Sequence, residues 1–188
     1  MSHEQERALT RRKIQQLIFR IVRTAKFDTR TVQELKEDKA ATGQAIAVLL
    51  LVGLSYGFGY SAFIGLQGHS LSANQLISGT IANMIFTDFA AFVWSATVFL
   101  VGTKLFRGTT SYWQLARPLF FSTGPGILFV FIAIPFTPLI MTAAVVASTW
   151  IVLGEFIALK SVMGFNAQRA ILTSVVGLLI LAFIQMTI

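Results

Sequence analysis

From Gly43 onward the chain is a succession of long apolar runs separated by short polar breaks. The first run, 43–66, carries no charge and exceeds the ~20 residues that cross a bilayer as a helix. A polar loop follows, from Gln67 through His69 and Ser70 to Asn74. The second run, 76–106, is longer than a crossing needs, so its first turns lie in the interface or the helix is tilted. Runs 118–136, 139–163 and 170–188 complete the pattern. Within the third, Gly124-Pro125-Gly126 breaks the run. Pro125 has no N–H for the carbonyl of Phe121, so the spacing predicts a kink or break there. Pro135 to Pro138 reads as a tight external turn, and Gly164 ends the fourth helix. Tyr112 to Arg117 reads as a short interfacial helix ahead of the third span, with its aromatics at head-group level.

The segment before residue 43 has a different period. Ile14, Leu17, Ile18, Ile21, Val22 and Ala25 recur at helical spacing. Arg12, Lys13, Arg20, Arg23 and Lys26 line the remaining faces. Such a basic amphipathic helix suits the interface of an anionic leaflet, and packing on the protein's own loops is the other reading. A second short helix is predicted to begin at Thr31, where Thr31 to Glu34 has capping-box spacing. The expected organisation is therefore a 1–42 cytoplasmic segment and a 43–188 transmembrane domain. The expected fold class is an all-α polytopic integral membrane protein: five transmembrane helices preceded by an N-terminal interfacial helix.

Charge orients this bundle. Of 15 Lys and Arg residues, Arg7 to Lys39 precede the first span. Lys104, Arg107 and Arg117 follow the second, and Lys160 and Arg169 follow the fourth. The alternate loops have none. That distribution is the positive-inside pattern, and it places the N-terminus in the cytoplasm and the C-terminus outside a cell membrane. A four-span reading, with the third run re-entrant, would leave Lys160 and Arg169 outside.

Composition agrees with lipid as the solvent. Of 188 residues, 55% are apolar and 12% charged, against about 25% charged in soluble domains. Mean hydropathy is +0.71. There is no cysteine, and His3 and His69 have no metal-ligand spacing. No cofactor is expected. The net charge of +7 points to anionic lipid head groups and not to nucleic acid.

Few residues carry candidate chemistry. Asp88 falls about twelve residues into the second run, near mid-membrane. An acid there is costly and is a functional candidate by default. It is either protonated and hydrogen-bonded within the bundle, part of a proton or ion path, or in contact with another chain. Glu155 is the other intramembrane acid, and near Lys160 it is expected to snorkel to the head groups. Gly53, Gly57, Ser61 and Gly65 form a small-residue ladder, and Gly79, Asn83, Thr87, Ala91 and Ser95 form a drifting second one. Such ladders admit close helix approach, within one chain or between copies. No Gly-rich phosphate loop, Ser-His-Asp set or paired carboxylates is present, so no enzyme is expected.

The order of several parts resembles a known family. Gly108-Thr109, Tyr112, Gln114-Leu115, Arg117, Ser122 and Pro125, followed by an apolar run to Pro135, are similar to the central signature of the Yip-domain family. Lys160, Gly164 and Gln168-Arg169-Ala170 resemble its ending, and Phe27 to Lys39 resembles its pre-span segment. The likeness covers 27–188. It implies a small five-span protein related to eukaryotic Rab-interacting membrane proteins, in a compact prokaryotic form, with no catalytic residue. The charge distribution and the absence of a reactive constellation point to a non-enzymatic membrane scaffold or adaptor with other membrane proteins as partners. The residues leave two further roles open: an accessory subunit of a larger, for instance bioenergetic, membrane complex, and a small transporter or proton-coupled channel using Asp88.

Overall fold

The structure is a computed structural model and describes residues 3–67 and 72–187. The expectations for His69 and Ser70 lie outside the described residues. Seven α-helices follow in order: α1 (His3–Ala25), α2 (Thr29–Glu37), α3 (Thr42–Leu66), α4 (Ala73–Lys104), α5 (Tyr112–Ser122), α6 (Thr137–Met163) and α7 (Ala167–Thr187). A 3-10 turn at Lys39–Ala41 and a 3-10 segment at Gly124–Ala133 complete the described elements. The described residues contain no strand.

α3, α4 and α6 are each long and apolar enough to cross a membrane. α5 and the 3-10 segment pass the same test together, bent by 41° at their junction. The break falls at Gly124-Pro125-Gly126. Two hydroxyls just before the break bond back to the preceding turn. The Ser122 hydroxyl donates to the Pro118 carbonyl at 2.9 Å and that of Thr123 to Phe120 at 2.7 Å.

Local chemistry accounts for the ends. α1 carries Glu4 and Glu6 in its first turn and Arg23 in its last, the sense the helix dipole favours. It closes with Asp28 N–H on the Arg23 carbonyl and Phe27 N–H on that of Thr24. Phe27 takes the left-handed position at φ 60°, a role usually left to glycine. Gly164, at φ 65°, fills the same role after α6. α4 opens with a reciprocal cap between Ser72 and Gln75.

Two expectations from the sequence need correction. α2 begins at Thr29, not Thr31. Its cap is Asp28, whose carboxylate accepts from Arg30 N–H at 3.0 Å, while Thr31 is buried with its hydroxyl on the same carboxylate. A charged acceptor immediately after the α1 turn outcompetes a threonine three residues on. Second, Tyr112 to Arg117 is not a separate interfacial helix. It continues through Pro118 as the single helix α5, and every residue from Leu115 to Ser122 is buried. Pro118, the seventh of the eleven residues of α5, removes one backbone bond, and the helix nevertheless passes through it.

α5 is the hub of one end of the molecule. Leu115 and Leu119 join Val32, Val98, Leu159 and Val162 in one core cluster. Ala116, Phe120 and Phe121 join Leu35, Val48 and Leu49 in another. The first unites α2 with the ends of α4 and α6 that bear Lys104 and Lys160, and the second unites it with the first half of α3. Away from this end, large side chains such as Leu54, Phe86, Phe89, Val145 and Leu179 point outward. An apolar exterior of this kind suits lipid, not water.

Candidate functional site

The α3 ladder faces α4. A methyl group added at Gly57 would meet the Thr80 carbonyl, and one at Gly79 would meet the Ser61 hydroxyl at 2.9 Å. Asn83 completes the seam by donating to the Gly79 carbonyl at 2.8 Å and reaching Ser61 at 3.4 Å. Gly65, at the far end, is half-buried. The first and second ladders thus meet within one chain, in antiparallel register.

Gly53 occupies the same seam opposite Asp88. An added Cβ there would fall 2.8 Å from Asp88 Cγ and on top of Oδ1. The carboxyl therefore fits only because residue 53 has no side chain. Asp88 is 7% exposed, and both of its oxygens are buried without a hydrogen-bond partner among the described residues. It points into the seam, not outward toward lipid.

Glu155 does not snorkel. Its carboxyl turns inward, where Oε2 accepts from Trp94 Nε1 on α4 at 3.0 Å. Carbon-lined space surrounds that bond. A cavity of about 740 Å³ lies among α3, α4, α6, α7 and the 3-10 segment, and among the described residues Glu155 is its only charged lining residue. The physical reason for the turn is a fixed indole donor on the neighbouring helix, an alternative to the head groups that the linear sequence does not display.

The basic helix divides its charges. Arg20 reaches across to the start of α3, donating to Asp38 at 2.5 Å and to Gln44 at 2.7 Å. Arg23 pairs with Asp28, with Nε 2.6 Å from the carboxylate, and lies over the Phe19 ring. Burial raises both carboxyls, yet hydrogen bonds from these arginines and from backbone N–H groups outweigh it. Asp28 and Asp38 are held below their ordinary 3.8. Arg12, Lys13 and Lys26 remain exposed. The apolar stripe divides as well. Leu17 and Ile21 pack on the α5 cluster, and Trp150 of α6 donates its indole N–H to the Ala25 carbonyl at 2.7 Å. Ile14, Ile18, Phe19 and Val22 stay outside, 46–59% exposed.

The structural role of one residue was hidden in the sequence. Arg117 reads as a loop charge, but it is 3% exposed and donates to the Lys36 carbonyl near the end of α2. A cation at a helix C-terminus is favourable, and this one binds the N-terminal segment to α5. Its sequence signals are its place in the family-like signature and its position directly before Pro118, at the mouth of an apolar run. Among the described residues no cluster of His, Cys, Asp or Glu could hold a metal ion.

No curated protein and no solved structure matches the chain. The family model for the Yip1 domain matches residues 26–188, from the last turn after α1 through all the long helices. A match over so much of the chain, on a helical bundle with several membrane-crossing helices, makes this a multi-pass membrane protein that belongs to the Yip1-domain family.

Proposed function

We propose that the protein is a non-enzymatic membrane scaffold of the Yip type, spanning the bilayer five times with its basic N-terminal segment on the cytoplasmic leaflet. The observation that carries this reading is the division of α1. Arg20, Arg23 and the Trp150 contact hold the helix against the bundle. The face left over is apolar at Ile14, Ile18, Phe19 and Val22 and flanked by exposed Arg11, Arg12, Lys13 and Lys26. A helix presenting this face lies in a head-group boundary, with its cations on anionic lipid.

The topology supports the same reading. α3, α4, the bent α5 unit and α6 account for four crossings. α7 has 21 helical residues, about 32 Å at ~1.5 Å per residue, enough for the fifth. Five crossings keep every Lys and Arg cluster on one side. The 1–42 segment and the 43–188 bundle then form a cytoplasmic cap and a membrane domain sharing the α5 core. Protein partners dock on the cytoplasmic face that the cap presents.

Crosslinking in native membranes, followed by purification in mild detergent, tests the scaffold role. Recovery of a defined partner that is lost when Arg12 and Lys13 are both changed to Glu supports it. Recovery of a lone monomer under every condition refutes it.

A further inference from the structure

The cavity beside Glu155 has a construction that the scaffold reading leaves unused. Its walls come from Leu49 and Val52 on α3, Ala90 and Ala91 on α4, and Ile151 and Phe156 on α6, among other apolar groups. Its size lies within the ~300–1,000 Å³ of ordinary ligand pockets. It is not sealed. Val152, Leu153, Ile171, Val175 and Leu178 also line it, and each is 45–63% exposed on the outer surfaces of α6 and α7. The opening therefore faces sideways into the bilayer.

Its polar groups are one-sided. The Thr123 and Ser174 hydroxyls are spent on the carbonyls of Phe120 and Ala170. Trp94 donates to one oxygen of Glu155, and no hydrogen bond reaches the other among the described residues. An acceptor held in an apolar chamber needs a donor; Thr87 also lines the chamber, but among the described residues no hydrogen bond joins its hydroxyl to Glu155. The occupant must bring that donor, along with hydrocarbon to fill the rest. Depth narrows the choice. Glu155 lies five residues before Lys160, about 7.5 Å along the helix, within reach of a lipid head group at the end where α6 carries its charge.

We propose that this cavity holds one acyl chain of a bilayer aminophospholipid, whose primary ammonium head group donates to Glu155. A carboxylate facing an ammonium forms the charge-assisted kind of hydrogen bond, and a quaternary trimethylammonium head has no N–H to give. The site therefore distinguishes ethanolamine from choline lipids.

The chain contains three tryptophans, so the double variant Trp113→Phe/Trp150→Phe leaves Trp94 as the sole reporter. It is reconstituted in vesicles containing phosphatidylethanolamine or phosphatidylcholine with brominated acyl chains, which quench nearby indoles. The expected result is stronger quenching by the ethanolamine lipid, corresponding to about a ten-fold preference in occupancy. Glu155→Gln removes the preference, and Ala90→Leu, which narrows the chamber, reduces quenching by both lipids. Equal quenching in the parent, or a preference that survives Glu155→Gln, overturns the proposal. Should the double variant not fold, native mass spectrometry of the wild-type protein and of Glu155→Gln reads retained ethanolamine against choline lipid, with the same two outcomes. Neither readout depends on a protein partner, so failure here is distinct from failure of the scaffold role.

Discussion

Replacing Gly53 with alanine adds one methyl group at the point where α3 meets the carboxyl of Asp88. The new Cβ would lie 2.8 Å from Asp88 Cγ and 3.0 Å from Oδ2, with Oδ1 closer still. Ordinary contact begins near 3.4 Å, so the two helices must part or Asp88 must leave its rotamer. Overpacking of this kind costs about 1–3 kcal/mol. Asp88→Ala removes the three atoms that collide, together with a buried carboxyl that has no partner. That change alone is expected to be neutral or stabilising, because an unmatched buried polar group costs about 1–3 kcal/mol. In the Asp88→Ala background, Gly53→Ala should then cost under about 0.5 kcal/mol, so the pair couples by roughly 1–2 kcal/mol. The assay is equilibrium unfolding in mixed micelles, read by tryptophan fluorescence, for the wild type, both single variants and the double. Equal destabilisation by Gly53→Ala in the two backgrounds would show that residue 53 and Asp88 do not share the seam, and would refute the reasoning.

Other consequences follow from the packing of the N-terminal segment on α5 and α6. Arg117→Ala leaves the Lys36 carbonyl unmet and a void beside α2, so thermal unfolding in detergent should show a loss of about 2–4 kcal/mol; an unchanged midpoint would contradict the buried placement. Trp150→Phe keeps the ring but loses the donor to Ala25, and should weaken α1 docking by about 0.5–1.5 kcal/mol, read as faster hydrogen exchange at the end of α1. Docking of α1 should also depend on acid. Asp38 and Asp28 are held below 3.8 in the folded state, so their contribution is complete above that value. It is lost as pH falls below it, through the folded pKa. Proteolytic protection of α1 should accordingly fall below about pH 3.8 and not above it, and Asp38→Asn should weaken protection already at neutral pH.

Much of the architecture follows from patterns that do not need three dimensions. An apolar run longer than a bilayer is thick can hardly be anything but a buried or lipid-facing helix, so α3, α4 and α6 were legible to within three residues at each end. Gly124-Pro125-Gly126 and Gly164 were legible because proline lacks a donor and glycine tolerates the left-handed region. The ladders at Gly53, Gly57 and Ser61 and at Gly79 and Asn83 showed that the first two spans could pack on each other, and the contacts between them lie within one chain. What stayed hidden was the direction of long or charged side chains. Glu155 and Lys160 look like a helix end, and only the position of Trp94, sixty-one residues earlier, turns the carboxyl inward. Arg117 counts as a loop charge until α2 folds over it. Arg20 and Arg23 share one basic face in projection, yet Asp38 and Asp28 draw both toward the protein. Charge patterning reports the side of the membrane and is silent on which cations are already paired.

The account rests most heavily on where α1 lies. Site-directed spin labels at Ile14, Ile18 and Val22, and separately at Gln16, decide it by relative accessibility to oxygen and to a water-soluble nickel chelate. All four positions but one project from the same apolar face, and all are exposed in the isolated chain. Any difference between them therefore comes from the bilayer. In vesicles containing anionic lipid, labels at Ile14, Ile18 and Val22 should be accessible to oxygen and shielded from nickel, while the label at Gln16 shows the reverse. Equal nickel accessibility at all four positions would place α1 in water, and the cytoplasmic-leaflet reading would fall with it.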